Sequence, residues 1–147
     1  MLLWFAGMAY LIVWSVFRDP RIDYRLVMAG ALLPDVVDGP LGGPRYAHTL
    51  VVSVAALVVV MLVTRGPSRR ALRRRALAVP IGMFCHLVLD GIWARTAVFW
   101  WPFLGDGLHD RGLPSFDRPV VLLVAMELAG AAALVWSHRQ VQEARAS

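Results

Sequence analysis

The chain has 147 residues and a formal net charge of +5, and 59% of its residues are apolar while 17% are charged. A soluble domain has about 45–50% apolar and about 25% charged residues. The apolar excess, with Cys85 as the single cysteine, excludes a disordered, collagen-like or disulfide-rich chain. The length allows one domain, so we predict a single all-α, integral membrane domain over residues 1–147.

Five apolar stretches predict a membrane bundle of four to five helices. A spanning helix needs about 20 residues, and four of the stretches reach or approach that length. The second stretch is shorter, so we expect it to form a short or re-entrant helix packed among the others. In chain order the stretches are Leu2–Phe17, Leu26–Val37, His48–Thr64, Ala76–Trp93 and Pro119–Trp136.

The arginines predict how this bundle is oriented in the cell membrane, because positively charged residues concentrate in cytoplasmic loops. The densest group lies between the third and fourth stretches, so the Arg65–Arg75 loop is expected on the cytoplasmic side. Residues 39–47 and 94–118 then lie outside. The same arginines could bind nucleic acid or anionic lipid. No aromatic residue interleaves them, so we interpret them as a topology signal and expect no nucleic-acid partner.

Acidic and histidine side chains lie near the outer ends of separate predicted helices. Ionisable groups inside a membrane are costly and are treated as functional by default. Imidazole nitrogen and carboxylate oxygen are good ligands for zinc, and also for manganese or iron. We therefore predict a divalent metal site, with a spare carboxylate as general base. The predicted ligands are Asp35, Asp38, His48, His86 and Asp90, and the three aspartates are the candidate catalytic residues.

The spacing of these residues favours convergence. His86 and Asp90 are four residues apart, so they share a helix face, and Asp35 and Asp38 share one if the helix continues past Pro34. Each residue also has a simpler interpretation as a helix cap, an interfacial group or a partner of its neighbour. Near this group, Arg45 is a candidate substrate-binding residue that could hold a phosphate or carboxylate, or could pair with Asp38.

Other polar residues give weaker signals. His109 and Asp110, with Asp106 and Asp117, lie in the outer loop, where they complete the site or are simply solvated. Glu127 lies in the fifth stretch and is interpreted equally well as a proton carrier or as a packing partner.

Four segments resemble, in the same order, the bacterial membrane-bound metal-dependent hydrolase family. They are Gly30–Asp38 (GALLPDVVD), Arg45–Leu50 (RYAHTL), His86–Asp90 (HLVLD) and Trp101–Phe103 (WPF). The resemblance covers about half the chain and implies a small multi-pass inner-membrane protein with a metal-dependent activity. Zinc-dependent phospholipase C-like proteins are similar more distantly. Tyr46, Ala47 and Thr49 depart from the family pattern around the histidine.

The function predicted from these features is metal-dependent hydrolysis of a lipid or lipid-linked substrate at the extracytoplasmic face. The alternative is a non-catalytic membrane subunit or assembly factor, in which the same polar residues serve helix packing. Small residues in the fifth stretch, such as Gly130 and Ala133, favour close helix contact. In that case we expect a membrane-protein partner or a homo-oligomer.

Overall fold

A computed structural model describes residues 1–104 and 118–146, which form seven α-helices connected by turns and short 3₁₀ segments. The predicted all-α class is confirmed for these residues, which contain no β-strand. The helices are α1 (Leu2–Phe17), α2 (Tyr24–Asp38), α3 (Leu50–Val63), α4 (Arg70–Ala76), α5 (Ala78–Asp90), α6 (Thr96–Phe99) and α7 (Val120–Ala146).

Two helix pairs form the centre of the fold: α1 packs along α7, and α2 packs along α5. Glycines allow both close approaches. A Cβ on Gly30 would lie 2.1 Å from the Val79 carbonyl oxygen of α5, and a Cβ on Gly7 would lie 1.9 Å from the Gly130 carbonyl oxygen of α7. α1 also contacts α2 and α5, so it joins the two pairs. Their shared core includes Phe5, Val13, Val27 and Ala31, all at most 1% exposed.

Proline and glycine determine where several helices break or end. Pro80 lacks an N–H, so the Ala76 carbonyl loses its helical donor, and the chain divides there into α4 and α5. α5 ends at Gly91, whose φ of +74° is the left-handed conformation that stops many helices. Pro34 lies inside α2, yet the helix continues through it to Asp38.

These breaks make most helices shorter than a membrane span. α1 has 16 residues, α2 has 15 and α3 has 14, which correspond to about 21–24 Å against a hydrocarbon thickness of about 30 Å. Among the described residues, one helix is both long and apolar enough to cross a membrane: α7, with 27 residues. Helix length therefore supports one candidate span, and the predicted four to five spans are not established by it. α2, the predicted short or re-entrant helix, has 15 residues and is similar in length to its neighbours α1 and α3.

The arginine-rich segment is more structured than the predicted loop. It contains α4, and two of its side chains bond to the end of α3: Arg69 Nη1 donates to the Val63 carbonyl at 2.7 Å, and Arg73 Nη1 donates to the Thr64 carbonyl at 3.4 Å. Cationic donors at a helix C-terminus satisfy unpaired carbonyls and oppose the negative end of the helix dipole. Part of this charge therefore stabilises the connection between α3 and α4.

Candidate metal centre

Three side chains from separate elements meet at one point in the bundle. Asp35 comes from α2, His48 from the 3₁₀ turn Tyr46–His48, and His86 from α5. The two Nε2 atoms are 3.3 Å apart, and Asp35 Oδ1 lies 3.4 Å from that of His48 and 3.5 Å from that of His86. Both imidazoles are fully buried, whereas the Asp35 side chain is 23% exposed. The cluster is therefore closed on the histidine side and accessible beside Asp35.

His86 is oriented by a backbone carbonyl of α2 that lies next to the one affected by Pro34. Pro34 cannot donate to the Gly30 carbonyl, and its ring crowds that carbonyl, so the helix is perturbed here. The next carbonyl, of Ala31, accepts the Nδ1–H of His86 at 2.7 Å. Phe5 of α1 covers the imidazole, with ring centroids 4.1 Å apart. Because a carbonyl can only accept, the proton of a neutral His86 lies on Nδ1 and its Nε2 lone pair faces the cluster.

The orientation of His48 depends on Asp38, the last residue of α2. Asp38 Oδ2 accepts the His48 Nδ1–H at 2.8 Å, and the carboxylate also accepts three backbone N–H groups. These backbone donors are Arg45 at 2.8 Å, His48 at 3.2 Å and Ala47 at 3.3 Å. Asp38 is fully buried, so one carboxylate both shapes the turn before His48 and leaves the His48 Nε2 lone pair facing the cluster.

This arrangement fits a cation. Two nitrogen lone pairs and a carboxylate oxygen face one another, and Asp35 Oδ1 is buried with no hydrogen-bond partner among the described residues. An atom equidistant from the three would lie about 2.0 Å from each, close to the lengths of zinc–nitrogen and zinc–oxygen bonds. Metal-binding histidines usually donate their second ring N–H to a carboxylate or backbone carbonyl, as both do here. Asp35, His48 and His86 can therefore hold a metal ion.

The structure places the other two predicted ligands differently. Asp38 contacts the far nitrogen of His48, and both of its oxygens are already used as hydrogen-bond acceptors. Asp90 is buried at the end of α5, and the cluster found among the described residues does not include it. Four helical residues advance about 6 Å, so Asp90 lies beyond the level of His86 although it shares its face. Its backbone carbonyl accepts Arg118 Nη2 at 3.2 Å.

The candidate substrate-binding residue, Arg45, begins the turn that leads to His48. Its backbone N–H is bonded to Asp38, while its guanidinium makes no ion pair with any described residue. The side chain is partly exposed. Its role in substrate binding therefore stays a prediction.

The weaker candidates have separate outcomes. Glu127 Oε2 accepts the Leu3 N–H at 2.9 Å, so this carboxylate satisfies a donor at the start of α1. That contact favours the packing interpretation of Glu127. His109, Asp110, Asp106 and Asp117 lie outside the described residues.

Two contributors to the site were missed by sequence reasoning: the Ala31 carbonyl and the Phe5 ring. A backbone acceptor has no residue-type signature, and Phe5 is one apolar residue within an apolar helix. The proline three residues after Ala31 is the one signal that could have pointed to an available carbonyl.

In comparisons with known proteins, no family model, curated protein or solved structure matches the chain.

Proposed function

We propose that this chain is a membrane-embedded, metal-dependent hydrolase that acts on a lipid or lipid-linked substrate at the extracytoplasmic face. The observation that carries the proposal is the triangle of two imidazole Nε2 atoms and Asp35 Oδ1, with both Nδ1 atoms bonded to acceptors. Zinc is the proposed ion, and the same donor atoms also accept manganese or iron.

Three protein ligands leave a coordination position for water or substrate, as in catalytic rather than structural zinc sites. When bound, the ion would supply a water of lowered pKa, about 7 for zinc, and would polarise the bond to be hydrolysed. Asp35 is the partly exposed member of the cluster, so substrate would approach beside it. Its buried oxygen faces the histidines, and the rest of the carboxylate is available to accept the proton of the attacking water. Arg45 would bind an anionic group of the substrate.

A lipid environment is supported by apolar surface that the fold leaves uncovered. In α3 one residue, Ser53, is buried, and side chains such as Val59 and Leu62 are about half exposed. In the most apolar window of α7, 17% of the residues are buried. Apolar faces of this extent are typical of surfaces that contact membranes or other proteins. We propose that these helices contact lipid, in a multi-pass arrangement with the Arg65–Arg75 segment cytoplasmic.

The alternative is a non-catalytic membrane subunit or assembly factor. The small residues that motivated it, Gly130 and Ala133, are buried, and Gly130 lies against α1 of the same chain. Their packing is thus satisfied internally. Helix packing alone also does not require both histidines to bond through Nδ1 and to direct Nε2 at the same point. We therefore prefer the hydrolase, and a tightly bound partner without turnover would be the result that favours the alternative.

The test is hydrolysis by the purified chain, reconstituted in phospholipid vesicles with zinc and followed by mass spectrometry of released headgroups and diacylglycerol. Turnover is expected with zinc, at background level after chelation, and at background level in His86→Ala. Glu143→Ala is the matched control, since Glu143 is exposed on α7, lies outside the cluster and lines neither pocket. Equal turnover in both variants, or no turnover by zinc-loaded protein, would contradict the proposal.

A further inference from the structure

A polar cavity lies at the opposite end of the bundle from the metal cluster. Its volume is about 380 Å³, and residues of α1, α2, α4 and α7 line it together with the turn before α2. Tyr24, at the start of α2, is one of its lining residues, and it is separated from Asp35 by about 16 Å along the helix axis. The cavity is therefore distinct from the candidate metal centre and has no part in the proposed hydrolysis.

The cavity concentrates positive charge. Four arginines line it against one carboxylate, Asp23, and within residues 1–104 and 118–146 none of the four forms an ion pair. Arg145 Nε donates to the Pro20 carbonyl at 3.1 Å, which holds that side chain at the cavity wall. Four guanidinium groups around one cavity repel one another unless an anion lies between them. The arginines are Arg21, Arg25, Arg75 and Arg145.

An apolar groove adjoins this cavity. Its volume is about 360 Å³, and it shares Tyr10, Met28 and His138 with the cavity, while Leu134 and Val135 of α7 form its apolar wall. A charged cavity that opens into an apolar groove matches an amphiphile with an anionic head and a hydrocarbon tail. A free anion would need the charged cavity and would make no use of the apolar groove.

We propose that the cavity and groove together bind one anionic phospholipid, with its phosphate among the four arginines and an acyl chain along Met28, Leu134 and Val135. Guanidinium groups bind phosphate through paired N–H donors, and anionic lipids attract arginines near a membrane surface. Tyr10 lines both the cavity and the groove, and its ring stacks on that of Tyr24 in the cavity with centroids 4.4 Å apart. The site stands independently of the metal centre.

The test is native mass spectrometry of the full chain in detergent, titrated with phosphatidylglycerol, phosphatidylcholine or inorganic phosphate. Arg25→Gln with Arg75→Gln removes two cavity charges. Arg70→Gln with Arg74→Gln is the matched control, because these arginines are exposed on α4 and do not line the cavity. We expect one tightly bound phosphatidylglycerol, about 10- to 30-fold weaker binding in the cavity variant, and less than about twofold change in the control. Thermal unfolding of both variants checks that each is folded.

Three results would overturn the proposal. Equal weakening in the two variants would mean that the lipid responds to overall charge and not to the cavity. Equal binding of phosphatidylcholine would mean that the headgroup charge is not recognised. Arginine-dependent binding of inorganic phosphate without preference for phosphatidylglycerol would make a free anion the occupant. None of these readouts depends on metal or on hydrolysis, so the outcome is separable from that of the proposed function.

Discussion

The α2–α5 and α1–α7 pairs are held together by the same device, a glycine that lets two helix backbones touch, but they differ in what lies beside the contact. On α2, Ala31 follows Gly30 directly, and on α5, Gly82 lies one turn before His86. Backbone contact at these glycines brings the Ala31 carbonyl to the His86 ring. Neither Gly7 nor Gly130 has a histidine one turn away along its own helix, and the nearby carboxylate of Glu127 accepts a backbone N–H. A close helix contact can therefore contribute to a metal site when hydrogen-bond donors and acceptors lie next to it.

The largest expected effect is that of Gly30→Ala. The new Cβ would lie 2.1 Å from the Val79 carbonyl oxygen, so α2 and α5 must separate. We expect a loss of about 3 kcal/mol in the free energy of unfolding, and loss of bound zinc because the acceptor of His86 moves away. Denaturant unfolding in detergent and zinc analysis measure both. Gly39→Ala is the control, since no atom lies within 4 Å of its Cβ and it should behave as wild type.

Gly7→Ala tests whether the α1–α7 contact can be weakened without loss of the metal centre, which lies beside the α2–α5 contact. Its Cβ would meet the Gly130 carbonyl oxygen at 1.9 Å, so the free energy of unfolding should fall by about 1–3 kcal/mol. No cluster residue comes from α7, and we therefore expect the folded protein to keep its zinc. The measurement is zinc per folded chain after size-exclusion chromatography. If zinc is lost as completely as in Gly30→Ala, the metal centre depends on the whole bundle and the comparison fails.

Asp38→Asn tests the positioning role of Asp38. The amide keeps one acceptor oxygen but loses the charge that orients His48, so zinc affinity should fall about 10- to 100-fold while the stoichiometry at saturation stays the same. Competition with a fluorescent chelator gives the affinity. Asp19→Asn is the control, because Asp19 also accepts a backbone N–H, from Arg21, but lies away from the cluster. A complete loss of saturable zinc in Asp38→Asn would instead identify Asp38 as a ligand.

A smaller effect is expected at Thr49, which follows His48 and caps α3. Its Oγ1 accepts the Val52 N–H at 3.2 Å and donates to the Tyr46 carbonyl at 2.8 Å. Thr49→Ala should cost about 1 kcal/mol of stability, and Thr49→Ser should retain most of it because the hydroxyl remains. Thermal unfolding compares the two. Equal melting temperatures for Ala and Ser would show that the hydroxyl contributes nothing.

The convergence of Asp35, His48 and His86 could be predicted, because the topology expected from the arginine pattern would put these side chains at one level. Which of the five predicted residues are ligands, and which only orient or neighbour a ligand, could not be predicted. Sequence spacing puts Asp38 and Asp90 on the same faces as the ligands, and whether a carboxylate points to a metal or to an imidazole Nδ1 depends on turn geometry and rotamers. The helix lengths also differed from the prediction, since hydropathy runs through Pro80 and Gly91 while helical hydrogen bonding does not.

The most direct test of the metal centre is zinc analysis with X-ray absorption spectroscopy on the purified chain, compared with a His48→Ala/His86→Ala variant. The account predicts one zinc per chain, with two imidazole nitrogens and a carboxylate oxygen at about 2.0–2.2 Å, and no bound zinc in the double variant. Wild-type protein that binds no metal when zinc is supplied, or a double variant that binds as much as wild type, would contradict it.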